Sequence, residues 1–108
     1  MSHKLDRIEE SIAREISRIL LEEAQNKDIK NVSITKVTVD DDLTFAKVYF
    51  MTRNEDTEKI EQALNTASGF IRKNLAKSLD LRSTPELRFV YDKSIDYTKQ
   101  IEDIIDNL

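Results

Sequence analysis

Apolar residues recur every three or four positions in three stretches of the chain, a spacing typical of amphipathic helices. The first stretch predicts a helix from about Ser2 to Gln25, with Ser2 as its N-cap. The last predicts a short C-terminal helix that begins at Ser94 or Asp96. The middle stretch, residues 57–82, is the longest, and its apolar positions are Ile60, Leu64, Ala67, Ile71, Leu75 and Leu79.

Three further stretches have the composition and alternation of β-strands. Residues 32–39 are rich in β-branched side chains, but their alternation slips, which predicts a bulge near Thr35 and Lys36 or burial on both faces. Residues 44–51 form the partner strand, after a hairpin turn at Asp40-Asp41-Asp42. A third strand follows Pro85, with Leu87, Phe89 and Tyr91 on one face.

The order of these elements predicts an α+β domain, with helices packed on one face of a three-stranded sheet. Residues 1–108 form one domain, and residues 95–108 are a C-terminal helical extension. The second strand would turn Ala46, Val48 and Phe50 toward the helices. Its other side chains would lie on an open sheet face, and they are Phe45, Lys47, Tyr49 and Met51.

Gly69 is the only glycine of the protein and lies in the middle of the long helical pattern. A glycine inside a helix costs about 1 kcal/mol relative to alanine, so the position needs a reason such as a bend or a close approach of another backbone. Thr66, Lys73 and Lys77 project on the same helical face as Gly69. If the helix breaks there, the free N–H groups of its second half would form an anion site beside two lysines.

The net charge of -4 disfavours general affinity for nucleic acids, but charge is distributed unevenly. Residues 70–93 carry six basic and three acidic side chains, so the positive end of the molecule lies just beyond Gly69. A solvated mixed-charge face is the alternative explanation. The strip formed by Arg7, Arg14 and Arg18 on the first helix has two explanations as well, namely ion pairs with Glu10 and Glu22 or a second set of phosphate contacts. The basic residues within 70–93 are Arg72, Lys73, Lys77, Arg82, Arg88 and Lys93.

Several kinds of chemistry find no support in the sequence. The chain has no cysteine, so disulfides and thiolate metal sites are excluded. Nucleophile elbows, phosphate loops and zinc-protease motifs are absent, and the three adjacent aspartates diverge, so we expect no enzyme activity, no cofactor and no metal. There is no apolar run long enough to span a membrane and no signal peptide, which predicts a cytoplasmic protein that does not contact membranes.

Short segments of the chain occur together in the order and spacing of one known family. They are Ala67-Ser68-Gly69 with Phe70-Ile71-Arg72 and Leu75, then Leu81-Arg82, Pro85-Glu86-Leu87 and Phe89, and upstream Val32, Ile34-Thr35, Val37, Asp42-Leu43 and Ala46-Lys47-Val48-Tyr49. On these segments the chain resembles ribosome-binding factor A from about Leu5 to Ser94.

The resemblance implies a type II KH-like fold in which a helix kink of the form Ala-x-Gly replaces the glycine loop that clamps nucleic-acid backbone in other KH domains. Ala67, Ser68 and Gly69 would form this kink. The family binds the free small ribosomal subunit, assists late maturation of its 16S rRNA, including in the cold, and is not enzymatic. The implied RNA-binding residues are Ser68, Gly69, Arg72, Lys73, Lys77 and Arg82.

The chain departs from the family in its acidic C-terminal segment from Ile95 onward, to which we therefore assign no RNA role. Assembly GTPases are further candidate partners, DNA is not, and we expect a monomer. An alternative function is a protein-interaction module that binds a ribosomal or regulatory protein through the open sheet face, with Phe45 and Tyr49.

Overall fold

The computed structural model describes residues 3–81 and 83–108, and for residues 3, 4 and 95–99 it describes the backbone alone. The predicted N-cap Ser2 lies outside these residues. The elements in chain order are α1 (His3–Glu22), α2 (Lys27–Lys30), β1 (Ser33–Val39), β2 (Phe45–Met51), α3 (Thr57–Thr66), α4 (Ser68–Ser78), β3 (Glu86–Tyr91) and α5 (Ser94–Asp106).

The three strands form one mixed sheet in the order β1-β2-β3. β1 and β2 pair antiparallel across the predicted turn, and β3 pairs parallel to β2. A parallel pair requires a long crossover, which α3 and α4 supply. Ile34 pairs with Phe50 and Lys36 with Tyr49, so Thr35 is the extra residue of a bulge, as predicted. The predicted α+β arrangement is confirmed.

The hydrophobic core lies between one face of the sheet and helices α1, α3 and α4. Ala46, Val48 and Phe50 of β2 are fully buried, which confirms the predicted inward face. Each fully buried large side chain stabilises the fold by about 1.5 to 3 kcal/mol. The helices contribute Ile12, Ile16, Ile19, Leu20, Ile60, Leu64, Ile71 and Leu75, and β3 contributes Leu87 and Phe89.

Helix side chains engage backbone groups at both edges of the sheet. At the β1 edge, the Glu9 carboxylate accepts the N–H of Val39 at 2.9 Å. At the β3 edge, the Asn65 amide accepts the N–H of Phe89 at 2.9 Å and donates to its carbonyl at 3.0 Å. The Glu61 carboxylate accepts the N–H of Tyr91 at 2.9 Å. Groups that would otherwise pair with another strand are thus occupied.

Two predicted boundaries are wrong. Residues 26–31 were expected to be a polar connection, but they contain the short helix α2, whose Asn26 side chain accepts the N–H of Asp28 and whose Ile29 is buried. The long helical segment does not reach the Ser83-Thr84-Pro85 stop signal. It ends at Ser78, because Leu79 is already extended (φ -116°, ψ 135°).

The apolar side chains of helix α5 after residue 100 are largely exposed, for example Ile104 at 64% and Ile105 at 60%. It begins at Ser94, one of the two predicted starts. None of the helices within residues 3–81 and 83–108 is long and apolar enough to cross a membrane.

Candidate nucleic-acid interface

The long helical segment is broken at Ala67, which separates α3 from α4. Ala67 has φ -85° and ψ 0°, a conformation that leaves the α-helix. Its N–H still donates to the Ala63 carbonyl (3.1 Å) and its carbonyl accepts the N–H of Ile71 (3.0 Å). Leu64 and Ile71 are buried on either side. The break therefore costs little hydrogen bonding, and the apolar stripe continues across it.

Gly69 is not the residue that breaks the helix. It is the second residue of α4, it has no positive φ, and its backbone is exposed. A Cβ built on it meets no atom within 4 Å. Of the three residues expected to form the kink, Ala67 is the one at which the helix breaks. Ser68 and Gly69 already lie in the first turn of α4. Neither backbone strain nor packing within the described chain requires a glycine here.

The N-terminus of α4 has no acidic or side-chain cap, although the C-terminus of α3 adjoins it at Ala67. Ala67 at the N-cap has no side-chain acceptor, and the first turn contains no acidic residue. Ser68 is half-buried beside Gly69. N–H groups and partial positive charge at such an end favour an anion.

Lys73 and Lys77 lie one and two turns beyond Gly69, and both are exposed. Neither forms an ion pair with a carboxylate in the described part of the chain. They and Gly69 share one helical face, as the sequence predicted. The face combines bare backbone with two cations that are available to a ligand.

Arg72 has a second role that the sequence did not reveal. Its Nε and one terminal nitrogen donate to the Thr84 carbonyl at 3.2 and 2.8 Å, which fastens the segment before β3 to α4. An open depression of about 420 Å³ lies at this junction and is lined by Gly69, Arg72, Lys73, Ala76, Ser83 and Thr84. The structure thus brings three of the predicted residues together. Arg82, also predicted, lies outside the described residues.

The arginine strip of α1 is explained in part by ion pairs. Arg18 donates to Glu15 at 2.5 Å and Glu22 at 3.0 Å, and these hydrogen bonds raise its pKa above the ordinary value. Its remaining nitrogen donates to the Ser78 hydroxyl at 3.0 Å. The Arg18–Glu22 pair is confirmed. The expected Glu10–Arg14 pair is not formed within the described residues.

The aspartate cluster forms a turn. The Asp40 carboxylate accepts the N–H groups of Thr44 (2.7 Å) and Phe45 (3.2 Å). Leu43 has φ 56°, the left-handed conformation that a tight turn requires. No group of His, Cys, Asp or Glu in residues 3–81 and 83–108 could hold a metal ion.

On the open sheet face, sequence reasoning missed Lys36 and placed Arg88 on the outer face of β3 without its neighbour Lys47. It assigned Lys47 and Tyr49 to that face, but the bulge at Thr35 also turns Lys36 outward, and the β2–β3 register places Arg88 beside Lys47. The slipped alternation of β1 was the available signal for Lys36. The position of Arg88 beside Lys47 depends on the parallel pairing of β2 with β3, which the tertiary structure shows and the sequence does not.

A helix, an antiparallel strand pair, a broken helix and a third strand parallel to the second together make a KH-like α+β domain of the type II arrangement. This topology places the chain in the class of type II KH-like domains.

The comparisons with known proteins give the family. The profile described as ribosome-binding factor A matches residues 4–105. Ribosome-binding factor A of Legionella pneumophila (strain Lens) is 39% identical over 106 residues, which cover 97% of this chain and 86% of that protein. The chain therefore belongs to the ribosome-binding factor A family.

Solved structures of the family share the fold. The crystal structure of ribosome-binding factor A from Thermus thermophilus aligns with a TM-score of 0.73 at 20% identity, over 81% of this chain and 94% of that one. A homology model of the Thermus thermophilus factor, fitted into a cryo-electron microscopy map of its complex with the 30S subunit, aligns with a TM-score of 0.63 at 20% identity, over 87% and 97% of the two chains.

Proposed function

We propose that the chain binds the free small ribosomal subunit through α4 and assists late maturation of its 16S rRNA. The observation that carries this proposal is Gly69, an exposed helical glycine that no atom of the described chain requires. We infer that the cost in stability of this glycine is offset by contact with a ligand. The ligand is one whose backbone approaches α4 closely.

The neighbours of Gly69 favour phosphate as the group that approaches. Lys73 and Lys77 are exposed and without carboxylate partners in the described chain, and the first turn of α4 contains no acidic residue that would repel a phosphate. RNA that is already folded is recognised largely through phosphates and shape. Ser68 and Arg82 complete the proposed contact set, and Arg72 both contacts RNA and positions the segment at Thr84.

Membership of the family supports the same assignment, since the Thermus thermophilus factor forms a complex with the 30S subunit. We propose the same partner for this chain, which acts in the cytoplasm as a monomer and without a catalytic step. Its net charge of -4 favours one structured ribosomal site over non-specific RNA. Assembly GTPases are the proposed factors that act with it on the subunit.

The first experiment tests the lysines separately from Arg72, whose replacement would also release Thr84. Co-sedimentation with purified small subunits is compared for the wild type, a Lys73→Ala/Lys77→Ala variant and a matched Lys27→Ala/Arg53→Ala control, all at exposed positions. We expect the α4 variant to bind more weakly while its circular-dichroism spectrum is unchanged. Equal binding of all three proteins would rule out this interface.

The salt dependence gives a second measure. If about four phosphates are neutralised, log K should fall with log salt with a slope of about -3. In cells lacking the protein, density gradients at low temperature should show accumulated free small subunits that carry unprocessed 16S rRNA ends. A normal gradient profile with mature rRNA ends would contradict the maturation role.

A further inference from the structure

The open sheet face is a second surface whose composition requires an explanation. The helices that form the core cover the opposite face, so the outward side chains of β1, β2 and β3 remain uncovered. Phe45 is 50% exposed on this face. An exposed aromatic ring on a sheet is an available contact for a partner.

Two lysines flank the tyrosine at the centre of this face. The Lys36 ammonium lies 6.0 Å from the centroid of the Tyr49 ring, and the Lys47 ammonium lies 5.8 Å from it. Lys36 is the cross-strand neighbour of Tyr49, and Lys47 precedes it by two residues on β2. Both cations are thus held close to one aromatic ring, at the outer limit of cation–π distances.

A third cation extends this group across the sheet. Arg88 of β3 is the register partner of Lys47. Among the outward residues of the three strands, Glu86 is the one carboxylate against these three cations. None of the three cations forms an ion pair within 4 Å in the described residues, although the carboxylate of Asp92, which follows β3, is close enough to Lys36 for their charges to interact. The face is therefore positive on a chain whose net charge is -4.

A shallow depression of about 370 Å³ lies at the turn end of this face, and its lining includes Thr38, Phe45, Lys47 and Arg88. Asp40 also lines it, but the carboxylate of Asp40 is occupied by the N–H groups of the turn. An aromatic ring next to two cations is the combination that binds a base and the phosphate attached to it.

The edges of the sheet argue against a peptide that would add a strand. Glu9 occupies an N–H group at one edge, and Asn65 and Glu61 occupy groups at the other. Strand addition needs those groups free. A partner must therefore contact the face through side chains, and the excess of cations over carboxylates there favours a negatively charged partner.

We propose that the open sheet face binds a single-stranded segment of RNA, with bases stacked on Tyr49 and Phe45 and phosphates bound by Lys36, Lys47 and Arg88. This inference extends the proposed function, because it gives the protein a second RNA contact on the side of the molecule away from the core helices. α4 binds folded RNA, and the sheet face binds an unpaired strand.

The test uses the full chain and a Lys36→Gln/Lys47→Gln/Arg88→Gln variant, with Lys27→Gln/Arg53→Gln/Lys30→Gln as the matched control, whose three cations form no ion pair within the described residues either. Binding to a fluorescein-labelled twelve-nucleotide oligouridine and to purified small subunits is measured over a series of salt concentrations. The three lost cations should lower the magnitude of the salt slope by about 2 for the single strand, and the control should leave it unchanged. A Tyr49→Leu variant should weaken oligouridine binding without altering the salt slope.

A second readout locates the contact directly. Ultraviolet irradiation of the complex with small subunits, followed by mass spectrometry, should show nucleotide adducts on the β2 peptide that contains Phe45 and Tyr49. If the Lys36→Gln/Lys47→Gln/Arg88→Gln variant binds oligouridine and small subunits as tightly as the wild type does, the inference is overturned and α4 remains the interface. Crosslinks from Tyr49 to a ribosomal protein alone would overturn it in favour of a protein partner.

The two proposals fail in different ways. If the wild type binds oligouridine through the sheet face but does not bind small subunits, the proposed function is wrong and the inference stands. If the α4 variant alone loses subunit binding and oligouridine is not bound by the wild type, the proposed function stands and the inference is wrong.

Discussion

Replacing Gly69 with alanine separates the stability of the protein from its ligand binding. Gly69 is helical and exposed, and a Cβ there meets no atom within 4 Å. The substitution should therefore gain most of the difference in helix propensity, about 0.5 to 1 kcal/mol. For a domain of about 100 residues, this gain raises the melting temperature by about 2 to 8 °C.

The same substitution should weaken binding to small subunits, because the new methyl group occupies the space into which the RNA backbone is proposed to come. A loss of about 1.4 kcal/mol corresponds to about tenfold weaker binding. Stability is measured by urea unfolding monitored by circular dichroism, and binding by co-sedimentation. The expected result is a protein that is more stable than the wild type and less able to bind.

Ser17→Ala is the matched control for this experiment. Ser17 is exposed on α1, and its hydroxyl donates to the Ala13 carbonyl of the same helix. Its replacement should also stabilise a helix by a few tenths of a kcal/mol, but away from the interface. If Gly69→Ala destabilises the protein, the argument from helix geometry is wrong. If it stabilises the protein and leaves binding intact, the glycine has no role in ligand approach.

Three further predictions concern the rest of the fold. Asn65→Ala should destabilise the protein by about 1 to 3 kcal/mol in urea unfolding, because the N–H and carbonyl of Phe89 lose their partner. Hydrogen bonds from Ser94 and Thr35 lower the pKa of Asp92, so its stabilising effect is present above the unfolded pKa of about 3.9 and is lost as pH falls through the lower folded value. The unfolding free energies of the wild type and Asp92→Ala should therefore differ at pH 7 and converge at low pH. Removal of residues 96–108 should change the unfolding free energy by less than about 1 kcal/mol, since the apolar side chains of α5 after residue 100 are largely exposed.

Each of these predictions has a control and a contrary result. Asn74, whose amide donates to the Phe70 carbonyl of its own helix, controls for Asn65, and equal losses from the two alanine variants would contradict the edge role. A constant difference between wild type and Asp92→Ala down to pH 2 would show that its carboxylate is not the stabilising group. For α5, loss of cooperative unfolding in the truncated chain would contradict its peripheral position.

The architecture was predictable because its signals are local. The slipped alternation of β1 marks the bulge at Thr35, and Asp56, directly before the predicted helix at residue 57, accepts the N–H of Lys59 at the start of α3. Periodicity also predicted the buried faces of the helices and of β2. These features depend on residues within one or two turns of each other.

The interactions that were not predictable join residues far apart in the chain. Asn65 contacts Phe89, Glu9 contacts Val39, and Arg72 contacts Thr84, and nothing in the composition of these residues distinguishes them from other polar surface positions. The resemblance placed the helix break within Ala67-Ser68-Gly69, but the residue pattern alone did not point to Ala67, for a different reason. Ala67 is a strong helix former, so the sequence directed attention to Gly69 instead.

The parallel position of β3 has a consequence for the order in which the protein folds. β3 pairs with β2 only after residues 52–85 have crossed between them, and it carries Phe89, which is 1% exposed. During synthesis, α1 and the β1–β2 hairpin are made long before the strand that completes their core. Such non-local pairing slows folding relative to helix and hairpin formation. The nascent chain therefore exposes the apolar faces of α3 and α4 until residue 91 has been added, which is the interval in which it is most open to aggregation and to chaperones.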